Sequence, residues 1–508
     1  MENNVLDWLE KTVSKYPDKV AFESLEKKIT FHELELQAKR IGSRISEFDI
    51  PKTPIAVVLD KEVTTVSAFL GVVYSGRAYA PIDISLPEPR IEKILSCLRT
   101  PVIITETQYV EKLTELCKKT GIQTRILILS DMLDGEIQET KLSAIRQSMI
   151  ETDPLYVIFT SGSSGIPKGV VTSHHSLMCY IDAYVGVMGI DDKDKLGNQS
   201  PLDYIAAVRD IYIPLLKGAS SYLIPKNYFM QMDKLADVIE EEHITSLGWS
   251  TSALTVIASF GMPNEHKFAS VKKVCFSGSI MHGGVLRKWQ TMLPDALFVN
   301  QYGPTEATAS CTYHVIDHLV EEDETIPIGI PYKNYKIILL KEDQTEAGIG
   351  EEGEICVSGP ILALGYYNNL EKTHQDIIQN PLNTAYEELI YKTGDIGEIK
   401  EDGLLYFHGR KDRQIKHMGH RVELDEIDLA ANSIAGVKEC CSLYNAEEGA
   451  IWLFYGGETP LKDLVKELRN RLPGFMVPRK VKQLDALPKL PNGKIDMPTL
   501  KQMAGIIR

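Results

Sequence analysis

Short β-branched runs alternate with helical segments through most of the chain, and this alternation restricts it to a narrow set of folds. "TPIAVVL" (53–59) is followed by "VTTVSAFLGVVYSG" (63–76), "PVIIT" (101–105) by "QYVEKLTELCKKTG" (108–121), and "RILIL" (125–129) opens a further unit. A strand, a helix and a second strand in that order join by a crossover that leaves the strands parallel, so the pattern predicts an α/β protein with largely parallel sheets. Later, "YKIILL" (335–340), "GEICVSG" (353–359) and "LLYFHGR" (404–410) are short strands separated by turn residues, which predicts a compact β-rich subdomain. Past the charged segment Gly409 to Gln414 the pattern changes again, to helical "ELDEIDLAANSI" (423–434), strand-like "AIWLFYGG" (450–457) and helical "LKDLVKELRNRL" (461–472). This last stretch predicts a small α+β domain beyond a hinge-like boundary. Neither tandem repeats nor low-complexity linkers interrupt the pattern.

With 508 residues, 44% hydrophobic and 25% charged, the chain can support several separate cores. Its net charge of −15 argues against nucleic acid or an anionic membrane as the main partner. A local exception is the cluster Arg469, Arg471, Arg479, Lys480 and Lys482, which reads either as a patch for an acidic protein or as an ordinary solvated face. No apolar run reaches the ~18 residues of a membrane span, and "MENNVLDWLEKTVSKYPDKV" lacks a basic start followed by an apolar core, so a cytoplasmic location is expected. The cysteines Cys97, Cys117, Cys179, Cys275, Cys311, Cys356, Cys440 and Cys441 form no CxxC pair and no His/Cys ligand spacing. Buried free thiols are expected rather than disulfides or zinc.

Two segments carry the chemistry. "YVIFTSGSSGIPKG" (156–169) runs an apolar strand into a loop of Thr, Ser and Gly that ends on a lysine. Glycines let backbone N–H groups approach phosphate oxygens, hydroxyls donate to them, and Lys168 offsets their charge. It is not a Walker loop, since Pro167 precedes the lysine and Gly169 replaces the magnesium-binding Ser or Thr. On the loop alone, phosphate contact and a flexible surface turn are both open. "PLDYIAAVRDIY" (201–212) places a charge inside a mostly apolar segment. Read as a helix, it puts Ile205, Val208, Arg209 and Tyr212 on one stripe, so the guanidinium points where the apolar residues point. An unpaired buried charge is costly, and the partner could be Asp203, Asp210 or a ligand.

"TSGSSGIPKG" resembles the phosphate loop of the adenylate-forming superfamily, which includes acyl-CoA synthetases, luciferases and the adenylation domains of nonribosomal peptide synthetases. Further segments resemble the core motifs of the peptide-synthetase branch: "ITFHELELQAKRI" near Thr30, "SGRAYAPIDISLPEPRI" from Ser75, "NQYGPTEATAS" from Asn300, "GEICVSGPILALGYYN" from Gly353, "YKTGDIG" from Tyr391, "GRKDRQIKHMGHRVELDEID" from Gly409 and "LPKLPNGKID" from Leu487. They stand in the right order and cover nearly the whole chain. The resemblance implies an N-terminal adenylation core, residues 1–411, of two α/β subdomains and a small β-rich subdomain, then a small mobile α+β domain, residues 412–508.

The same resemblance implies site residues. Thr160, Ser161, Gly162, Ser163, Ser164, Gly165 and Lys168 would hold the phosphates of ATP. Tyr302 would stack on adenine, Asp395 would accept from the ribose hydroxyls, and Arg410 would contact the nucleotide near the ribose. Thr305 would touch the α-phosphate and Glu306 would hold Mg2+, as hard oxygen ligands do. Lys494 would bridge the substrate carboxylate and the α-phosphate, stabilising charge that develops during attack. Asp412 matches the hinge about which the small domain rotates after adenylation, bringing "KHMGHRVE" to the site in place of Lys494. Gly419 would then line the channel for a phosphopantetheine thiol. No "GGxS" segment follows Lys494, so a separate carrier protein, or free coenzyme A, is expected as the acceptor.

Pocket positions by the same alignment are Tyr204, Ile205, Ala206, Arg209, Gly248, Cys275, Ser277, Gln301, Ala309 and Ser310. Members that activate α-amino acids keep an aspartate where Ile205 stands, and an isoleucine cannot pair with an ammonium. The expected substrate is an acid without a free α-ammonium whose far end is polar or anionic: a hydroxylated aryl acid, a 2-oxo or 2-hydroxy acid, or a dicarboxylic acid. The expected activity is that of an AMP-forming acid–thiol ligase that forms acyl-AMP and passes the acyl group to a carrier protein. An acyl- or aryl-CoA ligase, an enzyme for α- or β-amino acids with an unusual anchor, and a catalytically silent nucleotide-binding homologue stay open as alternatives.

Overall fold

The computed structural model describes residues 2–162, 164–446, 448–490 and 495–506. The α/β expectation holds. One sheet runs in the order Gly365–Tyr366, Lys168–Ser173, Pro154–Thr160, Tyr79–Pro81, Ile55–Val58, Val102–Thr105 and Arg125–Ile128. Its last five strands pair in parallel, and Lys168–Ser173 returns antiparallel on Pro154–Thr160. A second sheet runs Ile330–Pro331, Thr312–Ile316, Leu297–Tyr302, Lys273–Ser277, Ser246–Ser250, Lys195–Asn198, Ser220–Leu223, Val20–Glu23 and Lys28–Thr30. Its six middle strands are parallel. Both arise from the strand–helix alternation, because each crossover helix covers a sheet face and buries it.

Helices between the sheets fill one shared core, which joins Tyr79 and Tyr156 of the first sheet to Leu196 and Val299 of the second through Val66, Leu177, Tyr184 and Ile211. The helix Phe31–Ser46 starts at a capping box in which Glu33 N–H donates to Thr30 Oγ1 at 3.2 Å and Thr30 N–H to Glu33 Oε2 at 2.8 Å. It crosses the helix Val63–Tyr74, buried at every position but Thr64, at Gly42 and Gly71, where an added Cβ would lie 2.7 Å from Tyr74 Cβ or 2.4 Å from Ile41 Cγ2. The glycines set that crossing distance.

The expected β-rich part is an antiparallel sheet of Lys336–Leu340, Glu352–Ser358, Leu389–Ile399, Ile377–Gln379 and Leu405–Arg410. Beyond it stand a hairpin, Gln414–His417 with His420–Glu423, and a three-stranded sheet of Val437–Asn445, Ala450–Gly457 and Lys480–Leu484. With the helices Leu424–Asn432 and Leu461–Arg471 these make an α+β part with its own core around Ile427, Ile451, Leu453, Leu464 and Leu468.

The cysteines carry no disulfide; Cys97 and Cys179 are half-buried and the other six buried. Among the described residues no helix is long and apolar enough to cross a membrane. The segment 201–212 departs from a single helix: the helix is Ala207–Lys217, and Ile205 and Ala206 precede it in turns in which Ala207 N–H donates to Tyr204 C=O and Val208 N–H to Ile205 C=O. Ile205 is still buried, so it faces inward from the turn rather than from a helical stripe.

Candidate active site

The loop after strand Pro154–Thr160 is shaped for an anion. A Cβ on Gly162 would lie 2.2 Å from Ile166 C=O, and Gly165, at φ 72°, donates its N–H to Gly162 C=O at 2.8 Å, so both positions need glycine to make the tight turn. Lys93 Nζ donates to Gly165 C=O at 2.7 Å and fixes the turn from outside. Thr160 Oγ1 is buried without a hydrogen-bond partner among the described residues, as a hydroxyl waiting for a phosphate oxygen would be. Ser164 is exposed. Lys168 lies 5.4 Å over the Tyr366 ring; burial and the nearby Arg421 pull its ammonium below the usual lysine range. Ser163 and Lys494 lie outside the described residues. The donor set fits a nucleotide phosphate.

Thr305 and Glu306 open the short turn Thr305–Ala307 that follows strand Leu297–Tyr302. Glu306 is 1% exposed. Its expected free oxygens are not free: Arg421 Nη1, from the hairpin beyond the β-rich part, donates to both at 2.8 Å, and the Tyr366 hydroxyl lies 2.7 Å from Oε1. Burial alone would raise this carboxyl, but Arg421, Lys168 and Tyr366 together bring it down to about 2. In this arrangement Glu306 does not fit a magnesium ligand.

The nucleotide-side residues are likewise engaged with each other. Arg410 Nη1 and the Tyr302 hydroxyl donate to the two oxygens of Asp395. Arg410 also forks onto Asp412, Nε to Oδ1 at 2.7 Å and Nη2 to Oδ2 at 2.8 Å; burial opposes ionisation of Asp412, yet this fork holds its carboxyl below the usual range. The Tyr302 ring expected to stack on adenine instead has the Lys416 ammonium 5.1 Å from its centroid. Lys416 and Arg421 come from the same hairpin, so its seating explains both departures. The hairpin turns at Met418 and Gly419, with φ 53° and 81°, the two left-handed positions of a tight hairpin turn. A Cβ on Gly419 would meet Ser250 Cβ at 3.1 Å. The close approach lets the Tyr204 hydroxyl donate to Gly419 C=O.

A cavity of about 60 Å3 joins the two groups of residues. Tyr204, Ile205, Ala206, Arg209, Ser277, Ala309 and Ser310 line it with Thr305, Asp395, Arg410, Lys416, Gly419 and Arg421. The other three expected pocket positions sit behind Arg209 and hold it. Its Nη2 donates to Gly248 C=O at 3.0 Å, and Nη1 to Gln301 Oε1 at 3.3 Å and Cys275 Sγ at 3.5 Å. A Cβ on Gly248 would lie 3.5 Å from the guanidinium, in ordinary contact. Ser310 Oγ also donates to Gln301 Oε1 at 3.3 Å. Burial pushes the Cys275 thiol up to about 11, with Arg209 opposing.

Neither expected carboxylate partner reaches Arg209. Asp210 accepts from Asn198 Nδ2 at 2.7 Å instead, and Asp203 lines a second cavity, of about 450 Å3, between the large part and the α+β part. Among the described residues no carboxylate lies within ion-pair distance of the Arg209 guanidinium, which is 1% exposed and which Asp210 favours as a charge from further away. Tyr184, whose ring centroid is 5.5 Å from it, and Tyr180, whose buried hydroxyl is near enough to Arg209 and Ser310 to interact with both, were missing from the sequence reading. So were Lys416 and Arg421. Lys416 and Arg421 both lie inside "KHMGHRVE", whose expected move to the site could have drawn attention to them.

Two large parallel-sheet bodies and a small α+β part whose hairpin closes over their shared seam make the architecture of an adenylate-forming enzyme. The chain belongs to the AMP-binding enzyme family, whose pattern matches residues 9–367. It is 28% identical over 495 residues to surfactin synthase subunit 3 of Bacillus subtilis (strain 168), an alignment covering 96% of this chain and 38% of that protein. It is 29% identical over 510 residues to a D-alanine–D-alanyl carrier protein ligase of Bacillus cereus (strain B4264), covering 97% of this chain and 98% of that protein. Its fold matches the Vibrio cholerae adenylation domain AlmE, solved in complex with glycyl-adenosine-5'-phosphate, with a TM-score of 0.83 at 21% identity over 99% and 98% of the two chains.

Proposed function

We propose that the chain uses ATP to activate a small carboxylic acid as its acyl-adenylate, releasing pyrophosphate, and passes the acyl group to the phosphopantetheine thiol of a separate carrier protein. In this reading the 160–168 loop takes the phosphates, Asp395 and Arg410 the ribose side, Thr305 and Lys494 the reacting α-phosphate, and Gly419 the thiol. Residues 1–411 and 412–508 act as two bodies hinged at Asp412. Magnesium accompanies ATP, but no step is assigned to it at Glu306 while Arg421 holds both oxygens.

The observation that carries the substrate reading is Arg209, a buried cation whose hydrogen-bond acceptors are all neutral, in a cavity wall shared with Ile205, where the family resemblance would have an acid. An ammonium there would meet a like charge, whereas a second carboxylate would receive a forked, charge-assisted bond. A dicarboxylic acid meets this condition. The carrier acceptor is supported by the full-length similarity to a carrier protein ligase.

ATP–pyrophosphate exchange across a panel of acids tests the reading. Dicarboxylic acids should support exchange while glycine and D-alanine do not. Preferred exchange with an amino acid would reject the substrate class, and transfer to coenzyme A but not to a phosphopantetheinylated carrier would reject the acceptor.

A further inference from the structure

Glu306 and Arg421 form a buried ion pair between two parts of the chain that the proposed reaction cycle moves apart. Glu306 belongs to the seam of the two sheets, Arg421 to strand His420–Glu423 of the hairpin, and both oxygens of the acid receive Arg421 Nη1 at 2.8 Å. Among the described residues Arg421 is the only cation within ion-pair distance of Glu306. The same residue ties the hairpin to the phosphate loop, its C=O accepting from Ser161 Oγ at 2.8 Å. When the hairpin leaves, Glu306 loses its one ion-pair partner among the described residues, a costly break for a buried pair, and of the cations that hold its carboxyl down Lys168 is left. A divalent cation cannot join Arg421 on these oxygens. At ~2.1–2.6 Å from them it would sit against the guanidinium, with little water between to screen the repulsion.

Resting on the adenylation reading above, we propose that Arg421 and a divalent cation are alternative partners of Glu306, so that the hairpin seats only when the metal is off this carboxylate. A metal held with the nucleotide phosphates keeps Arg421 out and the hairpin unseated. Once metal and pyrophosphate are gone, the bare Glu306 charge draws Arg421 in and brings Gly419 against Ser250 and Tyr204. Arg421 is a positioning residue in this scheme. The coupling is reciprocal: whatever the metal takes from hairpin seating, hairpin seating takes from metal affinity.

The test uses the full chain with a non-hydrolysable ATP analogue and Mn2+ as probe, bound metal being read by electron paramagnetic resonance and hairpin seating by hydrogen exchange of the amides in 414–423. Arg421→Ala leaves the Tyr204–Gly419 contact, the Ser161 bond to the backbone and the Arg90–Glu426 pair at 2.6 Å in place, so the variant should fold. It should bind Mn2+ roughly 5- to 150-fold tighter than wild type, the usual span of a coupling between sites. Arg421→Lys should fall between the two, and a Glu306→Gln background should abolish the difference. In wild type, Mn2+ with the analogue should speed exchange in 414–423; in Arg421→Ala the metal should no longer change it. Equal Mn2+ affinity in wild type and Arg421→Ala, or hairpin exchange indifferent to metal in wild type, overturns the proposal. Absence of any analogue-dependent Mn2+ binding in wild type overturns the adenylation reading as well, whereas a wrong substrate class leaves these measurements untouched.

Discussion

Replacing Arg209 by methionine separates a structural guanidinium from a ligand-binding one, because the two roles give opposite effects on stability. In the free protein the guanidinium donates to Gly248 C=O at 3.0 Å, to Ala206 C=O and Gln301 Oε1 at 3.3 Å and to Cys275 Sγ at 3.5 Å. At about 0.5–1.5 kcal/mol for a good hydrogen bond, and less for the long ones, these contribute ~1–3 kcal/mol in all. Against them stands an unpaired ion whose effective desolvation is several kcal/mol, placed in the first turn of Ala207–Lys217, where the helix dipole disfavours a cation. Methionine fills similar space without the charge, so unfolding free energy should stay level or rise by up to ~3 kcal/mol. Substrate reverses the sign. A dicarboxylic acid facing methionine would bury a charge without a partner, a loss of about 3–5 kcal/mol, or ~100- to 5000-fold in kcat/KM. A monocarboxylic acid of the same length should change by less than ~10-fold. Urea melts and pyrophosphate-exchange kinetics on both acids read the two quantities. A variant that loses more than ~3 kcal/mol of stability and an equal factor of exchange on every acid would show that Arg209 only holds the fold.

Other expectations follow from single residues. Ile205→Asp puts an anion into the cavity wall that also carries Arg209 and should shift exchange toward glycine and alanine; exchange that stays on dicarboxylic acids would contradict the placement of Ile205 beside the α-carbon. Gly419→Val forces a β-branched residue into φ 81° and brings its Cβ to 3.1 Å from Ser250 Cβ, a strain of at least ~1–2 kcal/mol. Thiol transfer should fall ~10-fold or more while pyrophosphate exchange stays within ~2-fold, and equal loss of both half-reactions would refute a role confined to the seated hairpin. Asp203, in the larger cavity, is pushed up to about 7 by burial and by the charge of Asp83. Its folded value lies above the unfolded value of about 3.9, so its contribution is fully present below pH ~4 and is lost as pH rises to ~7. Asp203→Asn should remove that part of the slope in denaturant melts taken between these pH values, and an unchanged slope would show that Asp203 is not perturbed.

What the sequence made legible was local or repeated. Alternating runs of strand and helix are a property of neighbours, and they give both parallel sheets and the antiparallel strands at 336–410. The tight phosphate loop was legible too, since glycine spacing reflects a backbone constraint at the residues themselves, as the 2.2 Å approach at Gly162 bears out. Pairings across the chain were not. Arg421 meets an acid 115 residues earlier, and nothing in the alternation of His420, Arg421, Val422 and Glu423 names that partner. Tyr180 and Tyr184 read as ordinary core positions of the helix His174–Met188 until Arg209 arrives from another helix. Asp203 and Asp210 drew attention through adjacency, but i, i+1 neighbours on a helix do not face each other. Asp203 precedes the helix altogether.

Charge balance around the small cavity narrows the ligand further than any one residue does. Its wall carries Arg209, Arg410, Lys416 and Arg421 against Asp395 alone. Arg410 sits between Asp395 and Asp412 and pairs with both, and Arg421 is spent on Glu306 from the neighbouring turn. Among the described residues neither Arg209 nor Lys416 has a carboxylate within ion-pair distance, and Asp210 and Asp395, from further away, favour their charged forms. Lys416 stands over Tyr302 on the nucleotide side and Arg209 on the far side beside Ile205 and Ser310. Buried cations are costly without compensation, so under the proposed function anionic groups of the ligands at the two ends would complete it. Nucleotide phosphate can serve Lys416. In the proposed reaction the carboxylate that becomes the acyl group would lie at the α-phosphate, which would leave Arg209 to a second anionic or strongly dipolar group at the other end of the acid. An α-amino acid of the kind named for the D-alanine ligase would bring an ammonium instead, and would need a counter-ion that Ile205 does not supply.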